Sequence, residues 1–80
     1  MPWKQIIDET CFKHDVGRVE FMGASRATRL VAARHEAMFR LSHELGWSTP
    51  RIGRLIGDRD PSTVHYGIGR HAAKIEVAAQ

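Results

Sequence analysis

Apolar residues recur at steps of three and four along most of the chain, which is the spacing of helices that bury one face. The pattern predicts a first helix over residues 3–13, a short second helix capped by Asp15, and a long third helix over about 26–45. Ser25 is the expected N-cap of the long helix, and Gly46 is its expected C-terminal stop. The chain is therefore predicted to form a compact all-α domain of four to five helices.

Two more helices are predicted in the C-terminal half, on either side of a tight turn that contains glycine. The first of them is short: Ser48 or Thr49 would cap it, and Gly57 would end it. Pro50 fits its first turn, where a missing N–H costs nothing. These residues define both ends of the short helix.

The last predicted helix begins at an N-cap, Asp60, with Pro61 in its first turn, and it runs to about residue 77. Val64 and Ile75 are among the residues expected to face the core. A short helix, a tight turn and a longer helix are typical of a helix-turn-helix. In such a unit the second helix enters the major groove of DNA with its N-terminus first.

Length and composition limit the chain to one small domain, residues 1–80. Its 80 residues are 42% hydrophobic and 26% charged, which is ordinary for a globular protein. No apolar run approaches the ~20 residues needed to cross a bilayer. The start of the chain lacks the apolar stretch of a signal peptide, so we expect an intracellular protein. The large aromatic residues are expected in the core or covering it: Trp3, Phe12, Phe21, Phe39 and Trp47.

The basic residues are unevenly distributed along the chain. Residues 1–24 carry three basic against four acidic side chains, whereas residues 25–74 carry nine against four. Eight of those nine are arginine, whose planar guanidinium suits phosphate oxygens and guanine edges. Many cytosolic domains are equally basic, so charge alone favours a nucleic-acid partner only slightly over a solvated surface.

The first turn of the last helix is the part of a helix-turn-helix that meets base edges. Asp60 can accept a hydrogen bond from a cytosine amino group, and Pro61 can pack on a thymine methyl. Ser62 and Thr63 can bond to bases or phosphates. Asp60 can also cap the helix, whereas for Thr63 the docking geometry favours DNA contact over capping alone. Tyr66, one turn further on, either touches sugar or phosphate or packs partly in the core.

The segment Thr49–Val64 carries three motifs in order: Pro-x-Ile-Gly, Gly-x-Arg-Asp and Thr-Val. With this spacing it resembles the signature of the C-terminal DNA-binding domain of the bacterial chromosomal replication initiator DnaA. Val31–Met38 resembles the long helix of the same family, and the match runs without gaps from about Ser25 to His71. The resemblance implies a Trp-repressor-like all-α fold. It also implies that a monomer binds double-stranded DNA at a short AT-rich box. For the chain itself we expect a monomer or weak dimer.

The resemblance assigns roles to individual positions. Arg34 and His35, with the loop at Thr49 and Pro50, match positions that hold the DNA backbone. Pro61 stands where the family has a histidine, so a rigid apolar contact replaces a side-chain donor. Tyr66 matches another histidine of the motif. The base-reading positions and the arginine beside them correspond to Arg59, Asp60, Pro61, Ser62 and Thr63.

In the family, an arginine or lysine at the head of the long helix reaches into the minor groove, where AT-rich sequence deepens the negative potential. The matching position here is Thr28, flanked by Arg26 and Arg29. One of these arginines would have to substitute if the contact is kept. Gly67 and Gly69 replace better helix formers, at a cost of roughly 1 kcal/mol each in a helix interior.

The sequence contains no sign of catalysis. It lacks a Gly-rich phosphate loop with Lys-Ser/Thr, so we expect no ATPase. No cofactor is expected, and no metal site, because the histidines do not combine an i, i+4 pair with a third ligand. The single cysteine, Cys11, falls on an apolar stripe where a small buried residue is expected.

The function favoured by the sequence is selective binding of double-stranded DNA by a regulator of transcription or replication. We expect it in the cytoplasm, associated with the nucleoid. The alternative is a protein-interaction adaptor on the same scaffold that docks a replication or transcription protein. Steep salt dependence of binding would favour the first hypothesis.

Overall fold

A computed structural model describes residues 1–79, which fold into five helices joined by short turns. The helices are α1 (Pro2–His14), α2 (Arg18–Met22), α3 (Thr28–Leu45), α4 (Thr49–Leu55) and α5 (Pro61–Ala78). No strand occurs in this part of the chain. The predicted all-α class is confirmed. None of these five helices is long and apolar enough to span a membrane.

The core is built around α3, which packs against both α1 and α5. The predicted apolar stripe of α3 is buried, with Ala33, Ala37 and Leu41 all at 0% exposure. Ile7 from α1 and Val64 from α5 are equally buried. Burial of these apolar side chains is the main force that holds the C-terminal helices to the rest of the domain.

Two predicted helix starts are wrong. Asp15 does not cap α2; it lies at the C-terminal end of α1 in the left-handed conformation, with φ at 55°. Ser25 does not cap α3, which begins at Thr28. The Ser25 hydroxyl instead accepts a hydrogen bond from the N–H of Ala27 at 3.3 Å. The carbonyl of Ser25 accepts a hydrogen bond from Arg34 at 2.6 Å, and this contact keeps the segment outside the helix.

Two residues predicted to be buried are exposed. Phe12 is 89% exposed because its neighbour Cys11 lies on the buried face of α1, and adjacent positions of a helix point about 100° apart. Ile75 is 47% exposed, since the described part of α5 beyond Ala72 lies entirely at the surface. The other large aromatic residues are buried or partly buried as expected: Trp3, Phe21, Phe39 and Trp47.

Both helices of the helix-turn-helix carry predicted N-caps. The hydroxyl oxygen of Ser48 accepts a hydrogen bond from the N–H of Arg51 at 3.4 Å. One carboxylate oxygen of Asp60, Oδ1, accepts from the N–H of Ser62 at 2.8 Å. The first helix ends at Leu55, slightly before its predicted stop. The caps satisfy backbone donors that the first turn of a helix leaves free.

The turn between α4 and α5 lies directly against Gly53. The N–H of Arg59 donates to the carbonyl of Gly53 at 2.8 Å. A Cβ atom at position 53 would overlap the carbonyl oxygen of Arg59. A glycine is therefore required for this close approach, which fixes the placement of α5 relative to α4.

Candidate nucleic-acid interface

The first turn of α5 and its N-cap are exposed and carry three polar side chains and one proline. Asp60, Pro61, Ser62 and Thr63 are all exposed. The Asp60 carboxylate uses Oδ1 for both the N–H and the hydroxyl of Ser62. Its other oxygen makes no hydrogen bond within residues 1–79 and is available to accept from a base. The Ser62 hydroxyl, followed by its N–H, lowers the pKa of Asp60.

Thr63 differs from its neighbours because its hydroxyl has no partner among the described residues. It makes no capping hydrogen bond, so the cap of α5 comes from Asp60 alone. The Thr63 hydroxyl can therefore both donate to and accept from a base or phosphate. Of the polar groups in the first turn, it is the one least committed to the fold.

A cleft of about 860 Å³ opens beside this turn, between the α2–α3 loop, the first half of α3 and the exposed side of α5. Met22, Val31 and Met38 contribute apolar surface to its wall, and Thr63 and Tyr66 contribute polar groups. No acidic residue lines it. Five cations do: Arg26, Arg34, Arg59, Arg70 and Lys74.

The charges of the cleft are not neutralised by carboxylates. None of its five cations forms an ion pair within residues 1–79, whereas four lysines and arginines elsewhere do: Lys13, Arg18, Arg29 and Arg40. The lining of the cleft therefore carries positive charge without a paired carboxylate. Such a surface attracts a polyanion.

Arg34 is the most constrained of these cations. Its side chain is buried, at 4% exposure, and it donates to four backbone carbonyls. The acceptors are the carbonyl oxygens of Phe21 (2.8 Å), Ser25 (2.6 Å), Glu20 (2.9 Å) and Gly23 (3.0 Å). Burial, and then the charge of Arg59, lower the pKa of Arg34.

These bonds give Arg34 a structural role beside the DNA contact expected for it. These bonds use four of the five guanidinium N–H groups, which leaves one N–H on Nη1 for any contact with a phosphate. The residue resembles a family position that holds DNA, and here four of its donors hold the end of α2 and the α2–α3 loop. Its charge still contributes to the potential of the cleft.

Arg59 connects the helix-turn-helix to the same loop. It donates through Nη1 to the carbonyl of Ile56 at 2.8 Å and through Nη2 to the carbonyl of Gly23 at 2.5 Å. The carbonyl of Gly23 therefore accepts hydrogen bonds from both Arg34 and Arg59. Burial lowers the pKa of Arg59, which is half-buried.

His35 and Tyr66 face each other across the α3–α5 contact. Their rings meet edge to face, with centroids 6.1 Å apart. Burial, followed by the nearby charges of Lys74 and Arg70, lowers the pKa of His35, so its imidazole is neutral at pH 7. Tyr66 is 62% exposed and turns a polar group toward the cleft. The expected core packing of Tyr66 is therefore limited to this ring contact.

Arg26 and Arg29 have different surroundings in the structure. Arg26 is exposed, lines the cleft and forms no ion pair with another described residue. Arg29 is drawn to Asp15, whose carboxylate lies 3.7 Å away and whose carbonyl accepts a hydrogen bond at 3.4 Å. Arg29 does not line the cleft. Of the two arginines that flank Thr28, Arg26 is the one that lines the cleft.

The two predicted contacts at the start of α4 lie away from the cleft. Thr49 is half-buried and Pro50 is exposed. Next to them, the Arg51 guanidinium lies over the ring of Trp47 at 3.8 Å. This cation–π contact covers the tryptophan and occupies one face of the arginine.

Arg70 and Lys74, on the second half of α5, also line the cleft. Their spacing along the helix is the sequence signal that links them to the first turn. Positions 63, 66, 70 and 74 follow one another at three- and four-residue steps, so they share one face of α5. A polar helical face that continues from the first turn of α5 extends the candidate interface by two turns.

The fold and this surface define a class: a small DNA-binding helix-turn-helix domain, with exposed polar groups at the start of its second helix and an uncompensated basic cleft beside them. The family model described as "Bacterial dnaA protein helix-turn-helix" matches residues 3–70. The chain belongs to this family.

Several similar proteins are chromosomal replication initiator proteins DnaA. The one from Roseiflexus castenholzii is 35% identical over 75 residues, which is 94% of this chain and 16% of the relative. The relative from Thermomicrobium roseum is 34% identical over 81% of this chain and 14% of its own length. That from Cutibacterium acnes is 38% identical over 76% of this chain and 12% of its own length. No solved structure gives a significant match.

Proposed function

We propose that this protein binds double-stranded DNA at a short, AT-rich site similar to a DnaA box, with α5 in the major groove. The observation that carries the proposal is the cleft with five cations and no acidic lining residue beside the exposed first turn of α5. A surface of this kind neutralises phosphates while it presents hydrogen-bonding groups to base edges.

Base readout is assigned to the first turn of α5. Asp60 accepts from a cytosine amino group through its unused oxygen, and Thr63 bonds to a base through its uncommitted hydroxyl. Pro61 packs on a thymine methyl, which selects an A·T pair at that position. Ser62, whose hydroxyl donates to Asp60, keeps its lone pairs for a donor on the DNA.

Contact with the DNA backbone is assigned to the cleft and to the ends of the helices. Tyr66, Arg70 and Lys74 follow the α5 wall of the cleft, and the neutral His35 offers one ring N–H beside them. Thr49 and Pro50, with the N–H groups at the start of α4, form a separate contact as that helix crosses the duplex.

The wider role is also proposed. The relatives are replication initiators, and this chain corresponds to 12–16% of their length. We place its action in regulation of transcription or replication through occupancy of DNA sites, with no catalysis and no cofactor of its own. Its place of action would be the nucleoid in the cytoplasm.

The test is fluorescence anisotropy with a duplex that carries the initiator's box and a scrambled duplex of equal composition, each at two salt concentrations. Preference for the box that survives at the higher salt would support the proposal. Equal binding to both duplexes that disappears as salt rises would show phosphate contact without base readout, and would overturn the proposed box. Absence of binding to either duplex would favour the adaptor hypothesis instead.

A further inference from the structure

The segment between α2 and α3 is short and exposed, and side chains from elsewhere donate to two of its carbonyls, while the N–H of Gly23 donates to the carbonyl of Glu20 at 3.1 Å. Residues 23–27 lie outside any helix, and Arg26 stands near the middle of them. The segment makes one side-chain hydrogen bond of its own, from the N–H of Ala27 to the hydroxyl oxygen of Ser25. Its conformation is therefore set by the two arginines that donate to its carbonyls.

Each arginine holds a defined point of this segment. Arg34 donates to the carbonyl of Ser25 at 2.6 Å, which is the carbonyl of the peptide bond that joins Ser25 to Arg26. Both Arg34 and Arg59 donate to the carbonyl of Gly23. Hydrogen bonds between a charged guanidinium and a carbonyl are stronger than neutral ones. The backbone on the N-terminal side of Arg26 is thus fixed at two points.

The second of these arginines also determines where the segment lies relative to the recognition helix. Arg59 belongs to the turn between α4 and α5 and immediately precedes Asp60, the N-cap of α5. Through its two terminal nitrogens it joins the carbonyl of Ile56 to the carbonyl of Gly23. A single side chain thus links the start of α5 to the backbone that presents Arg26.

We propose that Arg34 and Arg59 are positioning residues for minor-groove readout: they set Arg26 relative to the start of α5 so that both elements engage one duplex. This inference rests on the proposed function. In it, α5 lies in the major groove and Arg26 enters the adjacent minor groove, which AT-rich sequence narrows. Arg59 acts by holding the α2–α3 loop. Its charge matters less for this role than the bonds that its two terminal nitrogens make to two different carbonyls.

The consequence is that lysine cannot replace arginine at position 59. A lysine keeps the positive charge but has one terminal nitrogen on a flexible stem, so it does not bridge two separate carbonyls in a fixed geometry. If Arg59 acted only as a phosphate contact, Arg59→Lys would preserve most of the binding. If it positions Arg26, Arg59→Lys will resemble Arg26→Ala.

The experiment measures dissociation constants for three duplexes that share the box and differ only in the flank facing Arg26. The flank carries A·T pairs, G·C pairs or inosine·C pairs, since inosine lacks the amino group that guanine places in the minor groove. The proteins are the wild type, Arg26→Ala, Arg59→Lys and the double variant. Arg70→Ala serves as the matched control, because it removes a cleft cation that does not touch the loop.

The wild type should prefer the A·T and inosine·C flanks over the G·C flank by about fivefold or more, the lower end of what one base contact supplies. Arg26→Ala and Arg59→Lys should each reduce this ratio to near one, and the double variant should reduce it no further. Arg70→Ala should weaken binding to all three duplexes equally and keep the ratio. Backbone ¹⁵N relaxation of the free Arg59→Lys protein should show increased motion confined to residues 23–27.

The outcomes that overturn the inference differ from those that overturn the proposed function. If Arg59→Lys keeps the wild-type preference for the A·T flank over the G·C flank, Arg59 does not position Arg26. A wild type that prefers the box but shows no flank preference would remove Arg26 from the minor groove. A wild type that does not distinguish the box from a scrambled duplex would refute the proposed function itself.

Discussion

Alanine substitutions at two glycines of α5, Gly67 and Gly69, test the packing of α5 against α3, on which the interface depends. Helix propensity treats them alike, and alanine at either position would stabilise an isolated helix by about 1 kcal/mol. The structure separates them. A Cβ at Gly69 would meet nothing within 4 Å, whereas a Cβ at Gly67 would lie 2.6 Å from Met38 Sδ and 2.8 Å from His35 Cδ2.

The expected magnitudes follow from these contacts. Gly69→Ala should raise the free energy of unfolding by about 1 kcal/mol, which for a domain of this size raises Tm by about 4–8 °C. Gly67→Ala gains the same propensity but overpacks a buried contact, at a cost of about 1–3 kcal/mol. Met38 is 1% exposed and has little room to move. Gly67→Ala should therefore be less stable than Gly69→Ala by about 1–3 kcal/mol.

Thermal and urea denaturation followed by circular dichroism measure both variants directly. DNA binding adds a second readout, because the new Cβ would displace the ring of His35 at the edge of the cleft. Affinity for the box should fall in Gly67→Ala and stay unchanged in Gly69→Ala. If the two variants are stabilised equally, α3 and α5 do not approach as described and the placement of α5 is refuted.

Three further predictions concern single side chains. Arg34→Ala removes four hydrogen bonds to backbone carbonyls and should destabilise the fold by about 2–4 kcal/mol in urea denaturation, whereas Arg54→Ala, at an exposed position, should change stability by less than about 0.5 kcal/mol; equal effects would contradict the loop contacts. Thr63→Val should leave Tm unchanged and weaken box binding by about 1–3 kcal/mol in anisotropy; full binding would exclude Thr63 from readout. Burial raises the pKa of Glu36 but hydrogen bonds from His14 and Lys13 outweigh it, so the net pKa is lowered. The unfolded chain then binds more protons than the folded one, so ionised Glu36 stabilises the fold above the ordinary glutamate range, and this stabilisation is lost as the pH falls through the lowered pKa. The free energy of unfolding of Glu36→Gln should therefore fall less on acidification than that of the wild type. Identical dependence of stability on pH in the two proteins would refute this role of Glu36.

The sequence predicted the elements whose causes are local. The apolar stripe of α3, the caps Ser48 and Asp60, and the glycine stop Gly46 each depend on residues within a few positions, and all are observed. The start of α3 was misplaced because its determinant is distant. The Ser25 carbonyl accepts a hydrogen bond from Arg34, nine positions along the chain, and a local capping rule does not include such a contact.

The same distinction between local and distant determinants applies to the candidate site. The first turn of α5 was predictable, since a helix-turn-helix places those positions at base edges regardless of packing. The inward-facing role of Arg34 was not, because its acceptors are backbone carbonyls, which carry no signature in the side-chain sequence. The difference between Arg26 and Arg29 depends on Asp15, which approaches Arg29 only after α1 and α3 have packed.

The ion pairs between α1 and α3 have a consequence for how the protein meets its target. Glu36 lies 3.0 Å from Lys13, and Arg40 is paired with both Glu9 and Glu44. Lys13 and Arg40 are thus paired with carboxylates, whereas the five cations of the cleft form no ion pair within residues 1–79. In the field of a duplex this uneven pairing favours approaches that bring the cleft toward the phosphates before contact. The fraction of collisions that are productive then rises, so added salt should slow association far more than it speeds dissociation.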